Sequence, residues 1–291
     1  MIQELVNYCS TCYDFVSGKA PFVNGQCVSC VKCLKEIHFN RESNRKYDCL
    51  AMCYYYVCCD IYRYATEMIW LFHDKELGLK QRKSPLKICS IGCGPCSELV
   101  AFEEYYKKYQ LSFEFTYDGF DTNEIWNPVQ KYVKSISSHP ENITFHNHKE
   151  DVFDYYTKHD TKPNLIVLNY VLSDILKHEK DNFQIFLNKL DEFIQKLPSC
   201  AILINDINNG VNENYPRYYY ESIIKMVSNN VQPDKCAVKE SHFPDSKKYY
   251  HTYGTPREKN SLLFKVPEEI SNKFATNTEC HSAQLLIVKK K

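Results

Sequence analysis

The sequence has no excess of charge and no long hydrophobic segment. Its 36 basic and 36 acidic side chains cancel, which excludes the global basic surface that binds nucleic acid through phosphates. The longest apolar run, residues 50–59, is too short to span a bilayer, and the first residues lack the basic segment and apolar region of a signal peptide. These absences predict a cytoplasmic protein without a membrane partner.

Cysteine, in contrast, is abundant. The total of 15 in a chain expected to be cytoplasmic favours reduced thiols and a metal site over a disulfide framework. Two Cys-x-x-Cys pairs near the N-terminus have the spacing that supplies four thiolates to a tetrahedral zinc ion. These four ligands are Cys9, Cys12, Cys27 and Cys30. Cys33 could replace a member of the second pair, and His38 is a weaker candidate. The sequence therefore predicts a zinc-binding module over residues 1–34.

Residues 35–83 are expected to form a helical linker. Neither proline nor glycine occurs between Tyr47 and Leu77, and apolar residues recur there at a helical period. Gly78 and the polar run 80–85 end this pattern. We expect one long helix, or two joined ones, that connects the zinc-binding module to the main domain and covers a ligand cleft.

Residues 84–291 alternate between strand and helix patterns, which is typical of a doubly wound α/β sheet. After the strand that starts at residue 86, the expected strands are 112–121, 143–146, 164–170, 200–206, 235–243 and 283–289. The segment before the last strand has no long crossover helix, so the last strand is expected to be antiparallel. The predicted fold is a mostly parallel seven-stranded sheet with an antiparallel last strand.

A glycine turn follows the first strand. Gly92 and Gly94 let a ligand approach the backbone without meeting a Cβ atom, and Ser97 is placed to cap the next helix. Asp121 ends the second strand 27 residues after Gly94, where a carboxylate can bind ribose hydroxyls. Asp118 is the alternative residue for that contact.

Another acid follows the third strand. Asp151, or else Glu150, can accept a hydrogen bond from the exocyclic amine of a base. Acids at this position also favour the starts of helices, so a capping role is the competing interpretation.

With these residues in place, residues 86–291 resemble the class I S-adenosylmethionine-dependent methyltransferases. The segment from Ile91 to Pro95 is similar to the family's glycine motif, although Cys96 stands where a third glycine is common and Ser90 where an acid is common. The late antiparallel strand is similar to the family's closing hairpin. The resemblance implies that S-adenosylmethionine is the cofactor. Its implied contacts are Ile91, Gly92, Cys93, Gly94, Asp121, Asp151 and Asn169.

The resemblance also implies transfer of a methyl group by in-line displacement, in which positioning supplies most of the catalysis. Asn169 and Tyr170 would orient the acceptor, and Asp206 or Asp174 would serve as a base where the acceptor must lose a proton. For Asp206, a capping role in the loop after its strand is an equal alternative.

The accessory zinc-binding module suggests a macromolecular acceptor, with RNA slightly preferred over protein or a small molecule. Two other classes of function stay open. One is a non-catalytic binding protein with a methyltransferase fold. The other is a dinucleotide-dependent oxidoreductase, which a last strand parallel to its neighbours would favour.

Overall fold

A single sheet of eight strands forms the centre of the computed structural model. The structure describes residues 1–17, 29–40, 43, 45–137, 142–209, 212–229, 231–244 and 253–290. The strands are β1 (Leu86–Ile91), β2 (Phe115–Phe120), β3 (Ile143–His148), β4 (Leu165–Asn169), β5 (Cys200–Ile207), β6 (Cys236–His242), β7 (Thr255–Pro256) and β8 (Ser282–Lys289). Their order across the sheet is β3-β2-β1-β4-β5-β8-β6-β7.

Strands β1 to β5 are parallel to one another, whereas β8 runs antiparallel to both β5 and β6. The antiparallel last strand and the mostly parallel sheet confirm the predicted fold class. The strand count differs from seven because the two-residue β7 adds a short parallel pairing to β6. The apolar runs at β1, β4 and β5 are buried on both faces of the sheet, as expected for central parallel strands.

Ten α-helices occur in the part of the chain that the structure describes. They are α1 (Ile2–Ser17), α2 (Cys30–Phe39), α3 (Leu50–Phe72), α4 (Ser97–Lys108), α5 (Asn127–Ser135), α6 (Val152–Lys158), α7 (Leu172–His178), α8 (Lys180–Gln195), α9 (Tyr220–Ser228) and α10 (Glu268–Phe274). One face of the sheet shares a hydrophobic core with α1, α3, α4 and α5, and the other with α6 to α9. The two faces are therefore covered by separate helical layers.

Helix α3 is buried almost all round, which is why apolar residues occupy most of its surface. Its apolar side chains belong to the same core as those of α1 and β1. After α3, Gly78 adopts left-handed backbone with φ of 61° between two short 3-10 turns, as expected for the residue that ends this segment. None of the helices within the described ranges has both the length and the apolar character needed to cross a bilayer.

The N-terminal segment differs from the expected zinc-binding loop. Cys9 and Cys12 lie on the continuous helix α1, and Cys30 begins α2. Burial is the main reason that the pKa of the Cys9 thiol is well above its usual value, and Cys9 packs into the shared core. Cys27 lies outside the described residues, so zinc binding by these four cysteines stays a prediction.

Candidate functional site

A cavity of about 1210 Å³ opens at the carboxyl ends of the parallel strands. Its wall includes the last residues of four strands, which are Ile91, Phe120, Asn169 and Ile207. Residues of α2 and α3 form the facing wall. Doubly wound sheets bind ligands at this edge, so the position agrees with the cleft expected from the sequence.

The glycine turn lies in the cavity wall with both glycines in left-handed backbone. Gly94 has φ of 47°, and a Cβ atom built on it would meet only the Trp126 ring, at 3.8 Å. Gly92 has φ of 62°, and its Cβ would lie 2.8 Å from Val171 Cγ2. The backbone at Gly94 is therefore open towards the cavity, whereas Gly92 permits close packing against Val171, the residue before α7.

Cys96 occupies the position of the third glycine in left-handed backbone, with φ of 58°. It is fully buried and precedes α4, and no side-chain cap is present there. Ser97 was expected to cap this helix, but its hydroxyl oxygen instead accepts a hydrogen bond from Asn169 Nδ2 at 3.0 Å. A cysteine is therefore accommodated where glycine is common, and the cavity wall continues past it to Ser97.

Asp121 is held against the glycine turn. Its Oδ2 accepts a hydrogen bond from the Gly94 amide at 2.8 Å, and its Oδ1 accepts one from the Asn123 amide at 2.8 Å. Burial raises the pKa of this carboxyl, while the two amides act in the opposite direction. Each oxygen keeps a second lone pair, so the carboxylate can still accept hydrogen bonds from two hydroxyls in the cavity.

The alternative acid, Asp118, does not belong to the described wall of the cavity. Its carboxylate instead contacts His146 and His148 on β3. Of the two acids near the end of β2, only Asp121 is placed for a ligand in the cavity.

Asp151 lines the cavity and also caps α6. Its Oδ1 accepts hydrogen bonds from the Phe153 and Asp154 amides at 2.9 and 3.1 Å. Its Oδ2 lies 3.7 Å from Lys189 Nζ on the solvent side. The capping role is thus present, and only the second oxygen retains its full capacity to accept hydrogen bonds from a ligand. Glu150 also lines the cavity.

Asn169 and Tyr170 lie where β4 ends in the cavity wall. Asn169 Oδ1 accepts a hydrogen bond from Asn205 Nδ2 at 2.8 Å, which fixes the amide that also contacts Ser97. Tyr170 has left-handed backbone with φ of 58°, and its hydroxyl donates to Glu67 Oε2 at 3.0 Å. Both side chains are therefore held rigidly at the cavity.

Glu67 connects α3 with the sheet, and no sequence pattern had singled it out. This fully buried carboxylate accepts hydrogen bonds from the Tyr170 hydroxyl, from Asn205 Nδ2 at 3.0 Å and from the His281 amide at 2.9 Å. Its backbone carbonyl accepts a further bond from Gln284 Nε2 on β8 at 2.8 Å. A buried polar network of this kind, with its hydrogen bonds made, fixes the relative position of its members.

Helix α3 presents a polar and aromatic stripe to the cavity at helical spacing. Asp60, Arg63 and Tyr64 line the wall, and Arg63 bonds to Asp60 at 2.7 Å. The Tyr64 ring lies 4.4 Å from that of Tyr170, and the Arg63 guanidinium lies 5.5 Å from the same ring. Further aromatic side chains in the wall are Tyr47, Tyr56 and Trp126. This wall suits a planar ring better than a flexible aliphatic chain.

The two candidate bases have different surroundings. Asp206 is fully buried, does not line the described cavity, and accepts hydrogen bonds from the Ser173 and Ile207 amides at 3.1 and 2.8 Å. Asp174 lines the cavity, and 55% of its side chain is accessible to solvent there. Partial desolvation by the surrounding cavity walls, followed by the charge of Asp121, raises the pKa of Asp174 to about 6. Of the two, only Asp174 can reach a ligand in the described cavity, because amides of α7 and β5 engage the buried Asp206 carboxylate.

Asn208 is a cavity residue that the sequence analysis missed. Only 1% of it is exposed, it lines the cavity, and neither Nδ2 nor Oδ1 has a hydrogen-bond partner within the described ranges. Burying an amide without a hydrogen-bond partner destabilises the folded protein. A ligand that forms hydrogen bonds with this side chain would remove that free-energy penalty and so bind more tightly. An asparagine in a loop after a strand is common, and the sequence contains no signal that marks this one.

Neither a family model nor a curated protein matches this chain. Solved structures with some similarity include the plantazolicin methyltransferase BpumL in complex with SAH, at 13% identity over the whole of both chains and a TM-score of 0.44. An rRNA methylase from Streptococcus thermophilus matches 76% of this chain and 96% of its own at 9% identity, with a TM-score of 0.41. The CurJ carbon methyltransferase matches 88% of this chain and 61% of its own at 10% identity, with a TM-score of 0.44. Structural similarity at this level does not show which reaction this chain catalyses or which acceptor it uses.

Proposed function

We propose that the protein is an S-adenosylmethionine-dependent methyltransferase. The observation that carries the proposal is the open left-handed backbone of Gly94 bonded to Asp121, at the carboxyl edge of a parallel sheet that ends in an antiparallel strand. A last strand parallel to its neighbours would have favoured a dinucleotide-dependent oxidoreductase, and β8 is antiparallel. That alternative is therefore not retained.

The residues of the cavity fit the proposed cofactor. Gly94 leaves space for a ligand beside the backbone, Asp121 retains acceptor capacity for ribose hydroxyls, and Asp151 Oδ2 takes no part in the capping bonds. Ile91, Gly92, Cys93 and Asn169 complete the proposed contacts, and all of them line the cavity. When bound, the cofactor supplies an electrophilic methyl group on a sulfonium centre.

Calorimetry with S-adenosylmethionine and S-adenosylhomocysteine tests the cofactor assignment on the full chain. We expect both to bind, and we expect Asp121→Asn to weaken binding by about 1 to 3 kcal/mol because the ribose contact loses its charged acceptor. Asp160→Asn is the control, since Asp160 is exposed and is not among the described residues of the cavity wall. Absence of binding by the folded protein would leave the non-catalytic binding protein as the function.

We place the base on Asp174. Its carboxylate faces the cavity, and a pKa of about 6 is near neutrality, which suits a group that removes a proton from an acceptor. His178 Nε2 lies 3.6 Å from this carboxylate and belongs to the same wall. Because Asp174 must be ionised to act, methyl transfer should decline as pH falls below about 6. In Asp174→Asn the rate of methyl transfer should be low at every pH. A profile of rate against pH should then no longer show the decline below about pH 6.

For the acceptor we propose an RNA base that enters the cavity beside α3. The aromatic rings of Tyr64, Tyr170 and Trp126 support this choice, because unstacked bases bind between such rings. The described wall mixes cations such as Lys46 and Lys177 with acids such as Asp60 and Asp174, so stacking must contribute more than phosphate contacts. RNA affinity should therefore depend only weakly on salt.

Transfer of labelled methyl groups to RNA, protein and metabolite fractions of a cell extract tests the acceptor. We expect label in RNA and a strong reduction with Tyr64→Ala. The control is Tyr218→Ala, since Tyr218 is exposed and is not a described cavity residue. Label confined to protein or to small molecules would reject an RNA acceptor and leave the methyltransferase proposal standing.

A further inference from the structure

One carboxylate and two imidazoles meet on the sheet outside the cavity. Asp118 on β2 is paired directly with His146 on β3, and His148 lies two residues further along β3. Because side chains alternate across a strand, all three project from the same face of the sheet. Among the described residues, this is the one group of three or more metal-ligating side chains whose ligand atoms all lie within 4.8 Å of one another.

The distances match those between neighbouring ligands of a metal ion. His146 Nδ1 lies 2.9 Å and His148 Nε2 lies 3.1 Å from Asp118 Oδ1. With metal-ligand bonds of about 2.0 to 2.2 Å, adjacent ligand atoms lie roughly 2.8 to 3.1 Å apart in an octahedral site and roughly 3.3 to 3.6 Å apart in a tetrahedral one. The three side chains therefore need little rearrangement to surround an ion.

The surroundings hold the ligands in place and leave a path from solvent. The His148 ring stacks on Phe120 with 4.5 Å between centroids and lies 4.3 Å from the Tyr155 ring. The side chains of Asp118 and His148 are only 10% and 15% exposed, whereas that of His146 is 50% exposed. Since β3 is the edge strand, an ion can enter beside His146. The site is thus preorganised on its inner side and open on its outer side.

We propose that Asp118, His146 and His148 form a binding site for a divalent first-row transition metal ion, with zinc as the principal candidate. Two imidazoles and one carboxylate are donors that suit zinc, and water would complete the coordination. In the ion-free protein, His146 Nδ1 and His148 Nε2 each face the Asp118 carboxylate and donate a hydrogen bond to it. To bind the ion, each of these two nitrogens must present a lone pair instead. Its proton therefore moves to the other nitrogen of the same ring or to solvent.

The bound ion would cross-link the end of β3 to β2. The Asp121 amide donates a hydrogen bond to the His148 carbonyl at 3.1 Å. The cross-link would therefore lie next to the carboxylate proposed to hold the cofactor. Metal binding does not depend on methyl transfer. A failure of either proposal leaves the other intact.

Equilibrium dialysis of the full chain against zinc tests the site. We compare the wild type with His146→Gln and Asp118→Asn, and we use His159→Gln as the matched control. His159 is exposed and stacks on Tyr155 at 4.3 Å without belonging to the cluster. Each cluster variant should bind one zinc ion fewer per chain, or bind it at least about tenfold more weakly, whereas His159→Gln should match the wild type.

Ions bound by cysteines do not obscure this result, because they would be present equally in all four proteins. Cobalt spectra distinguish the two donor types, since only thiolates give intense near-ultraviolet charge-transfer bands. His146 is half exposed, so His146→Gln should unfold at the wild-type temperature without metal, which verifies that its fold is intact. Equal zinc binding by all four proteins, or an equal loss in His159→Gln, would overturn the proposal.

Discussion

Gly92 and Gly94 share left-handed backbone but have different neighbours, and the difference can be measured. Alanine at either position is strained by about 1 to 2 kcal/mol. At Gly92 the new Cβ would also lie 2.8 Å from Val171 Cγ2, whereas at Gly94 it would extend into the cavity. Gly92→Ala should therefore lose more stability in urea unfolding, and Gly94→Ala should lose more cofactor affinity.

Gly78→Ala is the control for this pair. Gly78 has φ of 61° with nothing within 4 Å of its Cβ position, so it reports the backbone strain alone. If Gly94→Ala binds the cofactor as tightly as Gly78→Ala does, then the cofactor does not approach the backbone at Gly94.

Asn208→Ala separates a ligand contact from a structural one. The side chain makes no hydrogen bond within the described ranges, so its removal should leave the stability of the free protein unchanged or slightly higher. Binding of the cofactor or acceptor should weaken by about 1 to 3 kcal/mol if one of them satisfies the amide. Asn182→Ala is the control, because Asn182 is exposed and is not among the described residues of the cavity wall. A loss of stability with unchanged binding would contradict this assignment.

The location of a site residue could be predicted from the sequence only where it depends on the position of that residue relative to a strand end. Asp121 lies in the cavity because it directly follows the end of β2, and this position follows from the strand pattern. Asp206 also lies near a strand end, but its carboxylate accepts hydrogen bonds from the amide of Ser173 at the start of α7 and from that of Ile207, the last residue of β5. The bond from Ser173 depends on how α7 packs beside β5, and no local sequence pattern predicts that packing.

At the scale of elements, α3 is fixed to the sheet by one buried carboxylate. Glu67→Gln keeps the shape of the side chain but replaces an accepting oxygen by an NH₂ group facing other donors. We expect the free energy of unfolding to fall by about 1 to 3 kcal/mol. Glu192→Gln on α8 is exposed and should have no effect. Equal stability of the two variants would show that the Glu67 bonds do not hold α3.

The sheet was the most predictable part of the chain. Alternating apolar strands and intervening helices determine β1 to β5 to within a few residues, and the absence of a long helix before β8 indicates its direction. Helix α1 was not predicted as a helix, because the Cys-x-x-Cys spacing of Cys9 and Cys12 suits both a zinc-binding loop and one face of a helix. Spacing alone does not distinguish these, whereas burial of Cys9 in the shared core does.

For the whole molecule, the buried Asp206 makes stability depend on pH. Burial raises its pKa from 3.8 to about 6, so the folded protein binds a proton that the unfolded chain releases between these values. Stability should therefore fall as pH rises from about 4 to about 6, by up to about 3 kcal/mol from this group. Asp174 shifts in the same direction and adds to the effect.

Urea unfolding of the wild type and Asp206→Asn across this pH range tests the origin of the dependence. The variant cannot titrate at this position, so its stability should fall less steeply with rising pH. The control Asp160→Asn changes an exposed carboxyl and should follow the wild-type curve. A difference between wild type and Asp206→Asn that is the same at every pH would assign the dependence to other groups.

The Glu67 network also bears on how the chain can be shortened. The sequence suggests a cut near residue 84, which would separate the helical segment from the sheet. A fragment beginning there would lack the carboxylate that accepts from Asn205 and Tyr170, and it would expose the sheet face that now packs against α3. Part of the cavity wall would go with it. We therefore expect that the helical segment and the sheet must be expressed and crystallised together to keep the fold and the cavity intact.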